Sequence, residues 1–272
     1  MRCLKSLANV ADDLILEFTI YDDSSNDGTA EKIRCLLPSA TIIKGDGNHY
    51  WNGGMYEVFK IALVRCSDFY LWVNDDVVSN DNIISMMVDT YKYVSSTNVN
   101  TIIVGYTIDF ETNKLSYGGL KKVKRFPNLS YTKKIDATKF FAECDTFNGN
   151  CVLIPSCVVQ KIGISDPTFR HNKGDIEYGF RAKKYGCQII MTNYSVGYCK
   201  RDHNPRLYMQ DTSLSFRKKV QIMHSPKHNP PRERLFFFWQ YSRLTVIILF
   251  VRPYVSLIVQ HISSMRSCMT KK

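Results

Sequence analysis

The chain has 272 residues, 44% hydrophobic and 22% charged, which excludes a disordered polypeptide and allows one α/β domain or two small ones. A formal net charge of +11 favours polyanionic partners, and nine scattered cysteines without C-x-x-C spacing argue against a zinc ribbon or dithiol redox motif. Residues 1–13 reach Asp12 and Asp13 without the apolar core of a secretory signal, so free thiols in a reducing, cytoplasmic setting are expected.

In chain order, residues 2–9 read as the second half of a helix and residues 14–21, rich in aliphatic and β-branched side chains, as a buried strand. A polar turn follows, then a helix over 30–37 closed by Pro38, and a short strand over 40–43. A glycine-bearing loop over 45–54 precedes a helix over 55–65. An apolar strand over 69–73 then runs straight into Asn74-Asp75-Asp76. Residues 80–93 are amphipathic and helical, and residues 101–106 are strand-like. This rhythm predicts a largely parallel sheet covered by helices, with ligands at the carboxyl ends of the strands, where both acidic clusters fall. Residues 107–147 have hairpin character. A strand over 151–154, helices over 156–162 and 176–184, and a strand over 189–196 complete the pattern.

Four clusters carry chemistry. Asp75 and Asp76 are adjacent carboxylates at a strand end, whose repulsion a hard divalent cation bridging to phosphate would offset; an acidic turn capping the next helix explains them equally. Asp22 and Asp23 end the earlier strand, suited to base or ribose hydrogen bonds or to capping the helix that opens near Asp27. Asp175 and Glu177 open a helix, where one carboxylate can accept a proton while Glu177 pairs with Arg181 at i,i+4. Lys200 and Arg201 suit a diphosphate or a solvated basic loop, and His203 is a candidate metal ligand.

Taken in order, the segments 21–29, Tyr50-Trp51-Asn52-Gly53-Gly54-Met55, Asn74-Asp75-Asp76-Val77, Phe147-Asn148-Gly149-Asn150 and 174–181 resemble the family-2 glycosyltransferases of GT-A fold, in particular the rhamnosyltransferase-like branch. The resemblance implies an α/β fold with a mostly parallel, mixed twisted sheet flanked by helices. It makes residues 1–205 the catalytic domain and residues 206–272 a basic, hydrophobic helical tail. It implies that Asp22 and Asp23 hold the nucleoside, and that Asp76 beside Asp75 coordinates Mg2+ or Mn2+ on the donor diphosphate. Trp51, Asn52 and Gly53 belong by the same likeness to a loop near the sugar, and Gly149 and Asn150 to the acceptor side. Asp175 is then the base of an inverting displacement, and Lys200 and Arg201 take up diphosphate charge. The implied partners are a nucleotide-diphosphate sugar, for which the branch points to dTDP-rhamnose without singling it out, and a saccharide or lipid-linked saccharide acceptor.

Two departures stand out. The family's first strand precedes the helix that starts this chain, so either more chain lies upstream or one sheet position is unfilled; the exposed backbone groups of the second option favour the first. Gly174 stands where many members carry an acidic residue.

Residues 235–259 are strongly apolar but interrupted by Arg243, Arg252 and Pro253, and cations outnumber carboxylates around them. With no run of about 18 uninterrupted apolar residues, an interfacial hairpin broken at Pro253 is expected, on an anionic membrane surface rather than nucleic acid. That places the protein peripherally on the inner face of the cell membrane. Rival readings are a transferase-like binding or assembly protein lacking the first strand, and a nucleotidyltransferase, for which a lysine-bearing triphosphate loop is missing.

Overall fold

The computed structural model describes residues 1–7, 14–122, 132–135, 140–201, 207–228 and 230–269. Packing divides the chain into two units, residues 1–122 with 132–201, and residues 123–131 with 202–272.

The first unit runs α1 (Arg2–Leu7), β1 (Thr19–Asp22), α2 (Thr29–Leu36), β2 (Thr41–Lys44), α3 (Tyr50–Leu63), β3 (Phe69–Val73), β4 (Val78–Ser79), α4 (Ile83–Val94) and β5 (Thr101–Ile108). Short strands β6 (Leu115–Tyr117), β7 (Gly119–Lys122), β8 (Thr132–Lys134), β9 (Ala142–Glu143) and β10 (Thr146–Phe147) follow, then β11 (Cys151–Pro155), α5 (Ser156–Ile162), α6 (Gly174–Lys184) and β12 (Gln188–Tyr198). The main sheet has the order β3-β11-β5-β12-β4, with β6 on β5 and β9 on β12.

Period-two alternation explains the layers. Ile102, Val104, Val152, Ile154, Ile189 and Met191 face one cluster, with Phe59 of α3, Val158 of α5 and Tyr178 of α6. Their neighbours Ile103, Cys151, Leu153 and Ile190 face the other, with Met87 of α4 and Cys3 and Leu7 of α1. Strands buried on both faces need helices on both faces.

The sheet is mixed, as expected, with β3, β5 and β12 sharing one direction. β12 runs parallel to β5, but β11 is antiparallel to both β3 and β5. The chain reaches β11 through the short strands after β5, not through a right-handed strand–helix–strand crossover, so nothing constrains it to run parallel. β1 and β2 form a separate parallel pair. The expected helix over 55–65 begins earlier, at Tyr50, which moves Trp51, Asn52 and Gly53 from a loop onto the first turn of α3.

The second unit is an apolar helical extension: α7 (Leu207–Gln210), α8 (Phe216–Met223), a 3-10 turn at Pro226–His228, α9 (Pro231–Tyr241), a 3-10 turn at Arg243–Thr245, and α10 (Val246–Met269). Ser215 caps α8 by accepting from Lys218 N at 3.2 Å, and Pro231 opens α9, where a missing N–H costs nothing. Pro253 does not break the last helix. A mid-helix proline sacrifices one hydrogen bond, but Leu249 and Leu257 are both buried on either side of it and hold the helix in register. The chain turns instead at Ser242, whose backbone (φ −149°, ψ 40°) closes α9.

Candidate functional site

Asp23 ends up at the head of α3. Its Oδ1 accepts from Gly47 N at 2.8 Å, and its Oδ2 from His49 N at 3.2 Å and Tyr50 N at 3.1 Å. A helix start leaves such N–H groups without partners, and a carboxylate there also meets the positive end of the helix dipole. Trp51 N donates to His171 Nδ1 at 3.5 Å, and Asn52 N and Gly53 N are taken by Arg170 O at 3.0 and 3.1 Å. This long-range capping lets the helix begin at Tyr50. Asp22 is buried and accepts from Ser25 N at 2.9 Å, closing its own turn. Asp27, not Asp22 or Asp23, serves α2, accepting from Thr29 N at 3.1 Å and Thr29 Oγ1 at 2.5 Å.

The turn after β3 is tied to the same helix. Trp51 Nε1 donates to Asn74 Oδ1 at 2.6 Å, and Asn74 N donates to Asn150 O at 3.1 Å. Asp75 and Asp76 follow directly and are exposed. Behind them Cys3 Sγ donates to Asn74 O at 3.3 Å; burial first, then the Asp75 charge, pushes that thiol up to about 11.

Asp175 sits on the first turn of α6, half-buried, accepting from Gly149 N at 3.0 Å through Oδ2 and from Ile176 N at 2.7 Å through Oδ1. Crowding by protein raises its carboxyl above the ordinary aspartate value, against the lowering effect of those two N–H groups. Gly149 joins the two halves. A Cβ there would stand 2.6 Å from Trp51 Cη2 and 3.3 Å from Asp175 Cβ. A continuous path thus runs from the acidic turn through Asn74 and Trp51 to Gly149 and Asp175.

Glu177 and Arg181 pair as expected, at 3.0 Å and with Glu177 buried. Arg181 also donates to Ile162 O at 2.5 Å and Ile164 O at 2.9 Å, so the pair locks α6 to the end of α5. Asn52 is fully buried, its Nδ2 donating to Asp166 O at 2.9 Å and Phe169 O at 2.5 Å. Its Oδ1 has no hydrogen-bond partner among the described residues and points at Gly174, where any Cβ would overlap it. An acidic side chain at 174 would meet that oxygen at once, which accounts for glycine there.

Lys200 pairs with exposed Glu111 at 2.7 Å, and Arg201 N donates to Asp109 Oδ2 at 2.8 Å. Asp109, unmarked in the sequence reading, also accepts from Glu111 N, Thr112 N and Thr112 Oγ1. Its carboxyl is lowered to about 2, first by Arg201 N and then by Thr112 N. His203 lies outside the described residues.

A group that could hold a metal ion falls elsewhere than expected: Asp23, Asp46 and His49 each place one ligand atom within 4.8 Å of the others. Oxygen and imidazole donors suit Mn2+ better than Mg2+, but both Asp23 oxygens already accept backbone N–H groups, and Asp46 Oδ1 takes Asn48 N at 2.9 Å and His49 Nδ1 at 3.2 Å. The exposed oxygens of Asp75 and Asp76 fit a hard divalent ion equally by chemistry. Asp46 and His49 were missed because their signal, Asp-Gly-Asn-His, reads as an ordinary turn until Asp23 is folded against it.

Among solved structures, GalNAc-T7 with UDP, GalNAc and Mn2+ is 11% identical (TM-score 0.46), with 76% of this chain and 41% of that chain covered. This chain therefore spans well under half of that protein's length. A197 from STIV is 12% identical (TM-score 0.42; 66% and 81% covered), and TarS 1-349 of S. aureus is 13% identical (TM-score 0.51; 100% and 87% covered). At 13% identity the likeness to TarS shows the fold alone. No curated protein sequence matches. The model of the Glycosyl transferase family 2 sequences matches residues 1–154, more than half of the chain, and it ends on the strand that carries Asn150's neighbours; the chain belongs to glycosyl transferase family 2.

Proposed function

We propose that the protein is an inverting glycosyltransferase that moves a hexosyl or deoxyhexosyl group from a nucleotide-diphosphate sugar to a saccharide or lipid-linked saccharide, in cell-surface polysaccharide synthesis. The observation that carries this reading is the path Asn74–Trp51–Gly149–Asp175, which links the acidic turn after β3 to the Asp175 carboxylate. Asp175 takes the acceptor hydroxyl proton. The acceptor oxygen bonds to the anomeric carbon as the carbon–diphosphate bond breaks, and the diphosphate leaves with the electron pair. Each Asp175 oxygen keeps one lone pair beyond its backbone hydrogen bond, so the base is held without being used up.

Asp75 and Asp76 would hold Mg2+ or Mn2+, with Asp23, Asp46 and His49 as the competing set; the ion, when bound, supplies charge stabilisation on the diphosphate. Lys200 and Arg201 would face the diphosphate. The exposed Lys200–Glu111 pair is worth at most about 1 kcal/mol and is easily exchanged for phosphate. Asp22 and Asp23 would shape the nucleoside side chiefly by holding the turns around it. Residues 1–205 would form the catalytic domain and residues 206–272 a peripheral attachment to the inner face of the membrane. The branch likeness makes dTDP-rhamnose the first donor to try.

The test is a thermal-shift screen of nucleoside diphosphates and their sugars with Mn2+, followed by product analysis with Asp175→Asn. Stabilisation by one base over the others and transfer lost in the variant support the proposal. Failure of every nucleotide to bind overturns it in favour of a binding or assembly protein.

A further inference from the structure

Helix α10, together with the turn before it, is long and apolar enough by length and composition to cross a membrane over Arg243–Ser263, yet its two faces differ. Leu244, Ile247, Val251, Val255, Ile258 and Ile262 are all exposed and recur at spacings of three and four, so they line one side. The opposite side is covered. Leu257 packs with Met209 and Met223, and Tyr254 OH meets His224 Nε2 at 3.1 Å. The Arg234 guanidinium lies 4.9 Å from the rings of both Phe250 and Tyr254. Farther along, His261 stacks against Phe216 at 5.3 Å.

We infer that α10 lies in the plane of an anionic membrane, its exposed stripe in the lipid and its other face on α7–α9, and does not cross the bilayer. This rests on the reading that residues 206–272 work at a membrane. Crossing would carry buried Lys219, Glu233 and Arg234 into hydrocarbon, or strip the helix of its packing. It would also set Arg252 near mid-span. Lying flat, Arg252 is exposed one position past Val251, at the flank of the stripe, where its charge reaches the headgroups. Arg243 stacks on half-exposed Trp239 at 5.0 Å just before the stripe begins, an aromatic–cation pair suited to the headgroup level. Residues 206–272 hold 12 Lys and Arg against 2 Asp and Glu, most of the chain's positive excess. That charge fits anionic lipid and disfavours a second copy, whose own Arg243 and Arg252 would face these across a two-fold interface.

The experiment is flotation of the full chain with phosphatidylcholine vesicles, with and without roughly one third phosphatidylglycerol, followed by alkaline carbonate extraction. Expected are flotation with the anionic vesicles, release by carbonate, a blue shift of tryptophan emission, and at least a roughly tenfold loss of binding in the Val251→Asp/Val255→Asp double variant. Both positions are exposed, and circular dichroism melting checks the fold; Ile258→Asp provides a second, single-site probe. Flotation that resists carbonate overturns the in-plane placement while leaving membrane attachment standing. Flotation unchanged in the variants overturns the stripe. No flotation with either vesicle sinks the membrane reading itself, and a dimer that the double variant dissociates assigns the stripe to a second copy.

Discussion

Trp51 Nε1 donates to Asn74 Oδ1 at 2.6 Å, fastening the first turn of α3 to the residue that opens the acidic turn after β3. Trp51→Phe keeps a ring over Gly149 but removes this donor. A net hydrogen-bond loss of about 0.5–1.5 kcal/mol is expected in a urea melt, with transfer kcat/KM lowered about tenfold as the acidic turn loosens. Asn74→Asp, which keeps an acceptor at that position, restores nothing in the Trp51→Phe background if the donor is what matters.

Asp175→Asn removes the proton acceptor while leaving an oxygen for Gly149 N. Transfer is expected to fall by about a hundredfold to ten-thousandfold, with nucleotide affinity unchanged by calorimetry. Because burial raises the Asp175 carboxyl, the basic form is reached only above the ordinary aspartate range. The acid limb of kcat/KM against pH should therefore rise at a pH above about 3.9, and it disappears in the variant's residual rate.

Gly174→Ala drives a methyl group into the Asn52 amide oxygen. A loss of about 1–3 kcal/mol is expected, as for other overpacked sites. Asn52→Ala opens that space, so the same Gly174→Ala change made on top of it should cost markedly less. A double-mutant cycle by chemical denaturation measures this coupling; additive values would show that the two residues do not meet.

The two carboxylate sets make different claims on a metal. Mn2+ titration followed by electron paramagnetic resonance, with nucleoside diphosphate present, should lose its high-affinity phase in Asp76→Asn and keep it in His49→Ala. The reverse outcome moves the ion to Asp23, Asp46 and His49. Chelation with EDTA should abolish transfer in either case, and Mn2+ should restore it.

Asp109 carries a pH signature of its own. Its folded-state carboxyl is lowered to about 2, chiefly by Arg201 N, so it stabilises the fold above the unfolded value of about 3.9 and that contribution fades as pH falls towards 2. Asp109→Asn should lower Tm at pH 6 and converge on the parent protein near pH 2. The variant should also weaken diphosphate binding, because Arg201 loses its backbone anchor.

Much of the fold was legible along the chain. The helix over 156–162 was placed to the residue, and α4, α6, β5, β11 and β12 within a few, because buried strands and amphipathic helices carry their period in local order. The direction of β11 was not legible. It depends on how the chain returns through the hairpins after β5, and no local pattern records a route. The start of α3 was misplaced for a similar reason: Asp23 lies 26 and 27 residues from His49 N and Tyr50 N, and Arg170 lies 118 and 117 from Asn52 N and Gly53 N, the donors they satisfy.

By itself the order of amino acids determined the layered α/β class, the acidic turn after β3, the carboxylate at the head of α6 and the basic apolar tail, since each is a matter of neighbours a few positions apart. Only the tertiary structure decided that Trp51 and Gly149 join that turn to Asp175, that Asn52 leaves room for nothing larger than glycine at 174, and that one face of α10 is covered while the other is bare. Those are distances between segments remote in sequence, and they exist only once burial of the strands has brought the segments together.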